Sequence, residues 1–205
     1  MEMVLPLQID SVKGFLADEE GASLYKFACE TAPLGPCLEI GSYCGKSTVY
    51  LGTACKRYGS ILYALDHHRG SEEHQPGEEY HDPDIYDSSA ELVDSFREFR
   101  TTLRLAGLEE NVVPIVASSI VASSRWGTPL GMVFIDGGHS LVAALCDYRC
   151  WAGHIVSGGI LAIHDIFPNP ADGGQAPHTI WQLAKASGLF HELIIINTLG
   201  ILRRY

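Results

Sequence analysis

Five short polar clusters hold most of the residue types capable of chemistry in this 205-residue chain. They are Glu39-Ile-Gly41, Asp66-His67-His68, Ala117-Ser118-Ser119, Asp136-Gly-Gly-His139 and His164-Asp165. Carboxylates and imidazoles in such numbers can hold a divalent ion. A histidine among them can also act as a general base near neutral pH. Glycines in the first cluster let a ligand approach the backbone closely. A single strand-end acid is usually a cap or a turn. Five polar clusters, each at the end of an apolar run, imply one shared site.

The runs are CLEIG (37–41), ILYALD (61–66), VVPIVAS (112–118), GMVFIDG (131–137) and GILAIHD (159–165). Their near-continuous apolar character is that of parallel strands covered on both faces. Helical patterns alternate with them over 45–59 and 141–151. A third, long helix is expected from a cap at Asp87 or Ser88, because Leu92, Phe96, Phe99 and Leu103 keep a helical spacing and Gly107 stops it. Pro114 marks the third strand as exposed or irregular. HELIIIN (191–197) and GILRRY (200–205) are so close that they must pair antiparallel. The expected fold is α/β: a doubly wound, mostly parallel seven-stranded sheet, Rossmann-like, with an antiparallel C-terminal hairpin. Residues 1–36 read as a helical preface packed on the main domain, 37–205. Asp18 is its expected cap, and Leu24, Phe27 and Ala28 its apolar stripe. In such a sheet, ligands bind outside the carboxyl ends of the strands.

The first turn, GSYCGKST (41–48), allows two readings. A phosphate-binding Walker loop needs four residues between Gly and Gly-Lys, and only three separate Gly41 from Gly45. The dinucleotide pattern GxGxxG is absent. The alternative is a site for S-adenosylmethionine, whose sulfonium and amine are cationic. An acid-lined turn suits that ligand, and Asp66 at the tip of the second strand can accept hydrogen bonds from both ribose hydroxyls.

LEIGSYCGKST, VASS (116–119), MVFIDGGH (132–139) and GGILAIHD (158–165) stand in the order found in class I S-adenosylmethionine-dependent O-methyltransferases. Over roughly 37–165 the chain resembles the catechol O-methyltransferases and the metal-dependent macrolide-sugar O-methyltransferases. The resemblance implies that Glu39, Gly41, Ser42 and Tyr43 surround the methionine part of the cofactor. It places Asp66 on the ribose, with His67 and Ser118 beside the adenine. Asp136, His164 and Asp165 fall at the metal-ligand positions. There the chain departs from the catechol enzymes, which carry Asp and Asn where it has His164 and Asp165. His139 falls where those enzymes carry a lysine base, and the sugar enzymes a histidine. The implied chemistry is in-line methyl transfer to a small hydroxylated acceptor, with Asp136 and His139 as the catalytic pair. Mg²⁺ is the expected ion, and a histidine ligand shifts preference towards Mn²⁺, Fe²⁺ or Zn²⁺. A metal-dependent hydroxylase, or a ligand-binding protein on the same fold, is the alternative.

The formal net charge is -11, and -7 of it lies between Asp66 and Asp87, among eight acids and one base. Such acidity excludes nucleic acid and anionic membranes as partners. The acidic loop leaves the binding face of the second strand and is expected to act as a lid. Residues 166–178 read as a second flexible segment, on the acceptor side. The six cysteines form no CxxC pair, and the N-terminal stretch lacks a signal-peptide pattern. A reducing cytoplasm is the expected compartment. A homodimer is the default expectation for assembly.

Overall fold

A computed structural model describes residues 3–78 and 80–205. Seven strands form one sheet in the order β5-β2-β1-β6-β7-β9-β8. The strands are β1 (Cys37–Ile40), β2 (Leu62–Leu65), β5 (Val112–Ile115), β6 (Leu130–Ile135), β7 (Ile155–Ile163), β8 (Phe190–Ile196) and β9 (Leu199–Arg204). The first five run parallel, and β9 pairs antiparallel with both β7 and β8. The doubly wound sheet with its terminal hairpin is thus the expected one. Pro114 sits in β5, at the sheet edge, where a missing N–H does least harm.

Strand parity divides the core in two. Met132 and Phe134 of β6 face one side, with α1 (Asp18–Thr31), α2 (Lys46–Arg57) and α3 (Phe96–Ala106). Val133 and Ile135 face the other, with Trp151 of α5 (Leu141–Trp151) and Trp181 of α6 (Ala176–Ala186). Leu24, Phe27 and Ala28 of α1 are buried in the first core, so the helical preface shares the core of the main sheet. No helix among the described residues is long and apolar enough to cross a membrane.

Three local expectations are corrected. Helix α1 is capped at Ala17, and Asp18 opens its first turn. The buried Glu20 carboxylate turns back to accept the Ala17 N–H at 3.1 Å. The third helix begins at Phe96, not near Ser88. Residues 86–93 instead form a small hairpin of β3 (Tyr86–Asp87) and β4 (Leu92–Val93). Asp87 spends its carboxylate on the turn, taking the N–H groups of Ser89 and Ala90. Glu91 has a φ of 54°, which no helix accepts. The helix is started instead by Asp94, which accepts the Phe96 N–H at 3.1 Å. Finally, the stretch read as flexible, 166–178, ends inside α6, which opens on Pro177 in its first turn.

Chain order reverses between β1 and β6. From β1 the chain builds outwards through β2 to β5, then returns to add β6 and β7 on the other flank. The crevice at that switch point is the expected ligand position. Its floor is Gly41, whose φ of 87° and lack of a side chain are both required. A Cβ there would lie 2.0 Å from the Asp136 carbonyl oxygen.

Candidate active site

A cavity of about 540 Å³ opens above this crevice. Gly41, Ser42, Tyr43, Asp66, His67, Ser118, Asp136, His139, His164 and Asp165 all line it. Of the expected site residues, Glu39 alone lies behind the wall. Parity explains this: Glu39 shares the α2 face with Cys37, not the open end of the strand. Thr48 of α2 donates to Glu39 Oε2 at 2.5 Å, while Oε1 has no hydrogen-bond partner among the described residues. Complete burial pushes its carboxyl up to about 8, against the hydrogen bonds from Ser47 and Thr48.

Asp66 ties two loops to the tip of β2. Its Oδ2 accepts the Tyr43 N–H at 2.8 Å and its Oδ1 the His68 N–H at 2.7 Å. Tyr43 and His68 both have positive φ, 45° and 58°, so these bonds offset local strain. Next to Ser118 lies a network the sequence did not announce. Ser119 accepts the Trp151 indole N–H at 3.0 Å and donates to Asp147 Oδ1 at 2.5 Å. Burial pushes the Asp147 carboxyl up to about 6, with the Ser119 bond opposing.

The far end of the cavity is ionic. His164 is buried, with Nδ1 3.0 Å from Asp136 and Nε2 3.0 Å from Glu20. Carboxylates only accept, so both nitrogens carry protons. Burial alone would lower the His164 pKa, but Asp136, Asp165 and Glu20 hold it well above the usual range. Glu20 is fully engaged, its other oxygen accepting the Thr198 N–H and hydroxyl. His164 is therefore an imidazolium paired with Glu20 behind the cavity and with Asp136 at its rim. Parity could have signalled this. Ile160 and Ala162 of β7 face the α1 side, and His164 continues their alternation towards Glu20.

His139 stands beside two of the same carboxylates, Asp136 and Asp165. Ligand atoms of Asp136, His139 and Asp165 lie within 4.8 Å of one another. His139 Nε2 is 3.1 Å from Asp165 Oδ2, and its Nδ1 is 3.0 Å from Glu73 Oε2. The Asp165 bond raises the His139 pKa to about 9, with burial opposing. Asp165 itself has a φ of 56°, a conformation unusual for aspartate.

Glu73 belongs to the acidic loop, which folds over the cavity. Lys13 clamps the loop's other end, 2.6 Å from Asp82 and 2.8 Å from Asp84. Phe15 adds an aromatic wall with Tyr43, His74 and Tyr80, at ring separations of 5.1 to 6.4 Å. Of the loop's eight acids, Glu79 and the Glu72 side chain lie outside the described residues.

The switch-point cavity, the acid at the tip of β2 and the terminal hairpin define a class I S-adenosylmethionine-dependent methyltransferase. Residues 38–166 match the family described as methyltransferase domain, and the chain belongs to it. Similar solved structures include the O-methyltransferase NovP, with a TM-score of 0.69 and 13% identity over 90% of this chain and 78% of that one. Another is the O-methyltransferase TomG from Streptomyces achromogenes, involved in tomaymycin synthesis and solved with SAM. Its TM-score is 0.63 and its identity 14%, over 93% of this chain and 81% of that one. The O-methyltransferase from Bacillus cereus, solved with SAH, has a TM-score of 0.62 and 14% identity, over 93% and 83%.

Proposed function

We propose that the protein transfers a methyl group from S-adenosylmethionine to a hydroxyl of a small acceptor, assisted by a divalent ion. The single observation that carries this reading is the convergence of Asp136, His139 and Asp165 in the cavity that Gly41 and Asp66 also line. The cofactor supplies an electrophilic methyl group on its sulfonium. Gly41 leaves room for it against the backbone. Asp66 keeps unused lone pairs for the ribose hydroxyls, and Tyr43 is held over the first turn by that same carboxylate. Ser118 and His67 line the portion assigned to the adenine.

The donor set fits a divalent ion: two carboxylates and an imidazole nitrogen, close together and part-exposed. The ion would lower the pKa of an acceptor hydroxyl held beside it. Asp136 and Asp165 hold negative charge at that point, and the imidazolium of His164 fixes the Asp136 carboxylate from behind. Positioning of this kind is the main catalytic resource for an in-line displacement.

Titration calorimetry with S-adenosylhomocysteine tests the cofactor assignment, and absence of binding at millimolar ligand refutes it. Transfer of labelled methyl to a panel of phenols and sugars tests the reaction. Label found only on nitrogen acceptors would refute the O-methyl assignment.

A further inference from the structure

Cys146 and Cys150 stand one turn apart on α5, with their sulfurs 4.0 Å from each other. Both are part-buried free thiols, and neither serves the chemistry described above. Cys146 lines the cavity next to Asp147, whose carboxylate accepts the Ser119 hydroxyl at 2.5 Å. The thiol therefore borders the portion assigned to the adenine, where Ser118 precedes Ser119 in the chain. Cys37 and Cys55 are also neighbours, but both are fully buried.

A disulfide does not suit this spacing on a straight helix. Cβ atoms four positions apart are about 5–6 Å from each other, and a disulfide needs about 3.5–4.5 Å. One atom shared between the sulfurs fits better. Two sulfurs bound at about 2.3 Å to a tetrahedral centre stand about 3.8 Å apart. A zinc ion would need further protein ligands to close its shell. Among the described residues, no His, Cys, Asp or Glu brings a third ligand atom within 4.8 Å of both sulfurs. The match is a soft centre satisfied by two sulfurs alone, and trivalent arsenic carrying one organic substituent is such a centre. Burial, together with Cys150, pushes the Cys146 thiol up to about 11. Such a thiol reacts poorly with ordinary alkylating agents at neutral pH, which favours a reagent that gains two bonds at once.

We propose that Cys146 and Cys150 form a two-sulfur site for trivalent arsenicals, and that its occupation closes the cavity to the cofactor. The link to the cofactor rests on the function proposed above. The step is a condensation. An arsine oxide gains two As–S bonds, its As=O bond and both S–H bonds break, and the oxygen leaves with the two protons as water. Arsenic keeps its oxidation state, so no oxidant or reductant is consumed. The adduct then takes up space in a cavity of about 540 Å³.

The test is titration of the full chain with phenylarsine oxide, read by native mass spectrometry. Affinity for S-adenosylhomocysteine is measured by calorimetry before and after loading. The wild-type protein is expected to take one phenylarsenic group, stable to a monothiol and removed by ethanedithiol. Cys150→Ser leaves a single sulfur and does not alter the cavity lining. It should weaken capture at least about 100-fold and, untreated, bind S-adenosylhomocysteine as the wild type does. Cys146→Ser should weaken capture equally. Loading the wild type should weaken S-adenosylhomocysteine by at least about tenfold. Unchanged capture by either variant overturns the proposal, because the arsenic would then sit on other cysteines. Capture with unchanged S-adenosylhomocysteine affinity overturns the closure of the cavity. An untreated wild type that fails to bind S-adenosylhomocysteine refutes the proposed function instead, and the capture data still decide the two-sulfur site.

Discussion

Glu20 and His164, 144 positions apart in the chain, meet at 3.0 Å in the buried interior. This pair locks the first turn of α1 to the end of β7 and, through Asp136, to the rim of the cavity. Removing one partner of such a pair leaves a buried charge uncompensated, at about 3–5 kcal/mol. Glu20→Ala should therefore lose about that much stability in urea unfolding. The loss should far exceed that of an exposed ion pair such as Lys185 with Glu192. Equal effects at the two sites would show that the buried pair is not structural.

Gly41→Ala should be among the most damaging single substitutions. It places a methyl group against the Asp136 carbonyl at a φ that L-residues rarely adopt. A loss of about 2–3 kcal/mol or more is expected, together with loss of S-adenosylhomocysteine binding. Full-affinity binding by this variant would remove the crevice floor from the site.

Asp66→Ala should weaken S-adenosylhomocysteine by roughly 1–3 kcal/mol, because it removes the proposed ribose contacts and releases the Tyr43 and His68 amides. Calorimetry at one pH suffices, and an unchanged dissociation constant would exclude Asp66 from the site.

Asp147 makes a pH-dependent contribution of known sign. Its folded pKa, about 6, lies above the ordinary aspartate value of 3.8. The folded state therefore binds the proton more tightly. The stability linked to this group is fully present below pH 3.8 and is lost as pH rises through 6. At neutral pH the ionised carboxylate costs on the order of 2–3 kcal/mol. Asp147→Asn should thus be stabilising relative to wild type at pH 7.5, and its advantage should shrink steadily towards pH 4. Denaturation at a series of pH values measures this difference, and a constant offset would show that the carboxyl does not titrate in that range.

Lys13→Met removes the clamp on Asp82 and Asp84. The ion pairs are part-exposed, so global stability should change by less than about 1 kcal/mol. Hydrogen exchange in residues 80–87 should nevertheless accelerate. Unchanged exchange would show that the loop is held by its aromatic contacts instead.

Sheet, switch point and hairpin were legible because parallel strands advertise themselves as apolar runs closed by polar residues. Most of the expected site residues were legible for the same reason, since they terminate those runs. Long-range pairings were not. Nothing near Glu20 in sequence points to His164, and nothing near Glu73 points to His139. The third helix was misplaced because Leu92 fits a helical spacing by coincidence. Val93 is in fact buried with Ile85 and Cys44 in a small separate cluster. His164 was placed at an ion-ligand position by the family resemblance. The contact of His164 with Glu20 was hidden because its partner lies 144 positions away on α1.

The contact between Gly41 and the Asp136 carbonyl also separates what can vary from what cannot. The turn after β1 and the end of β6 are joined backbone to backbone, with no side chain between them. Their spacing is therefore set by the sheet and is insensitive to which residues decorate the rim. Lys13, Phe15, Tyr80 and the acidic loop, which line the cavity from outside the sheet, can be exchanged without altering that spacing.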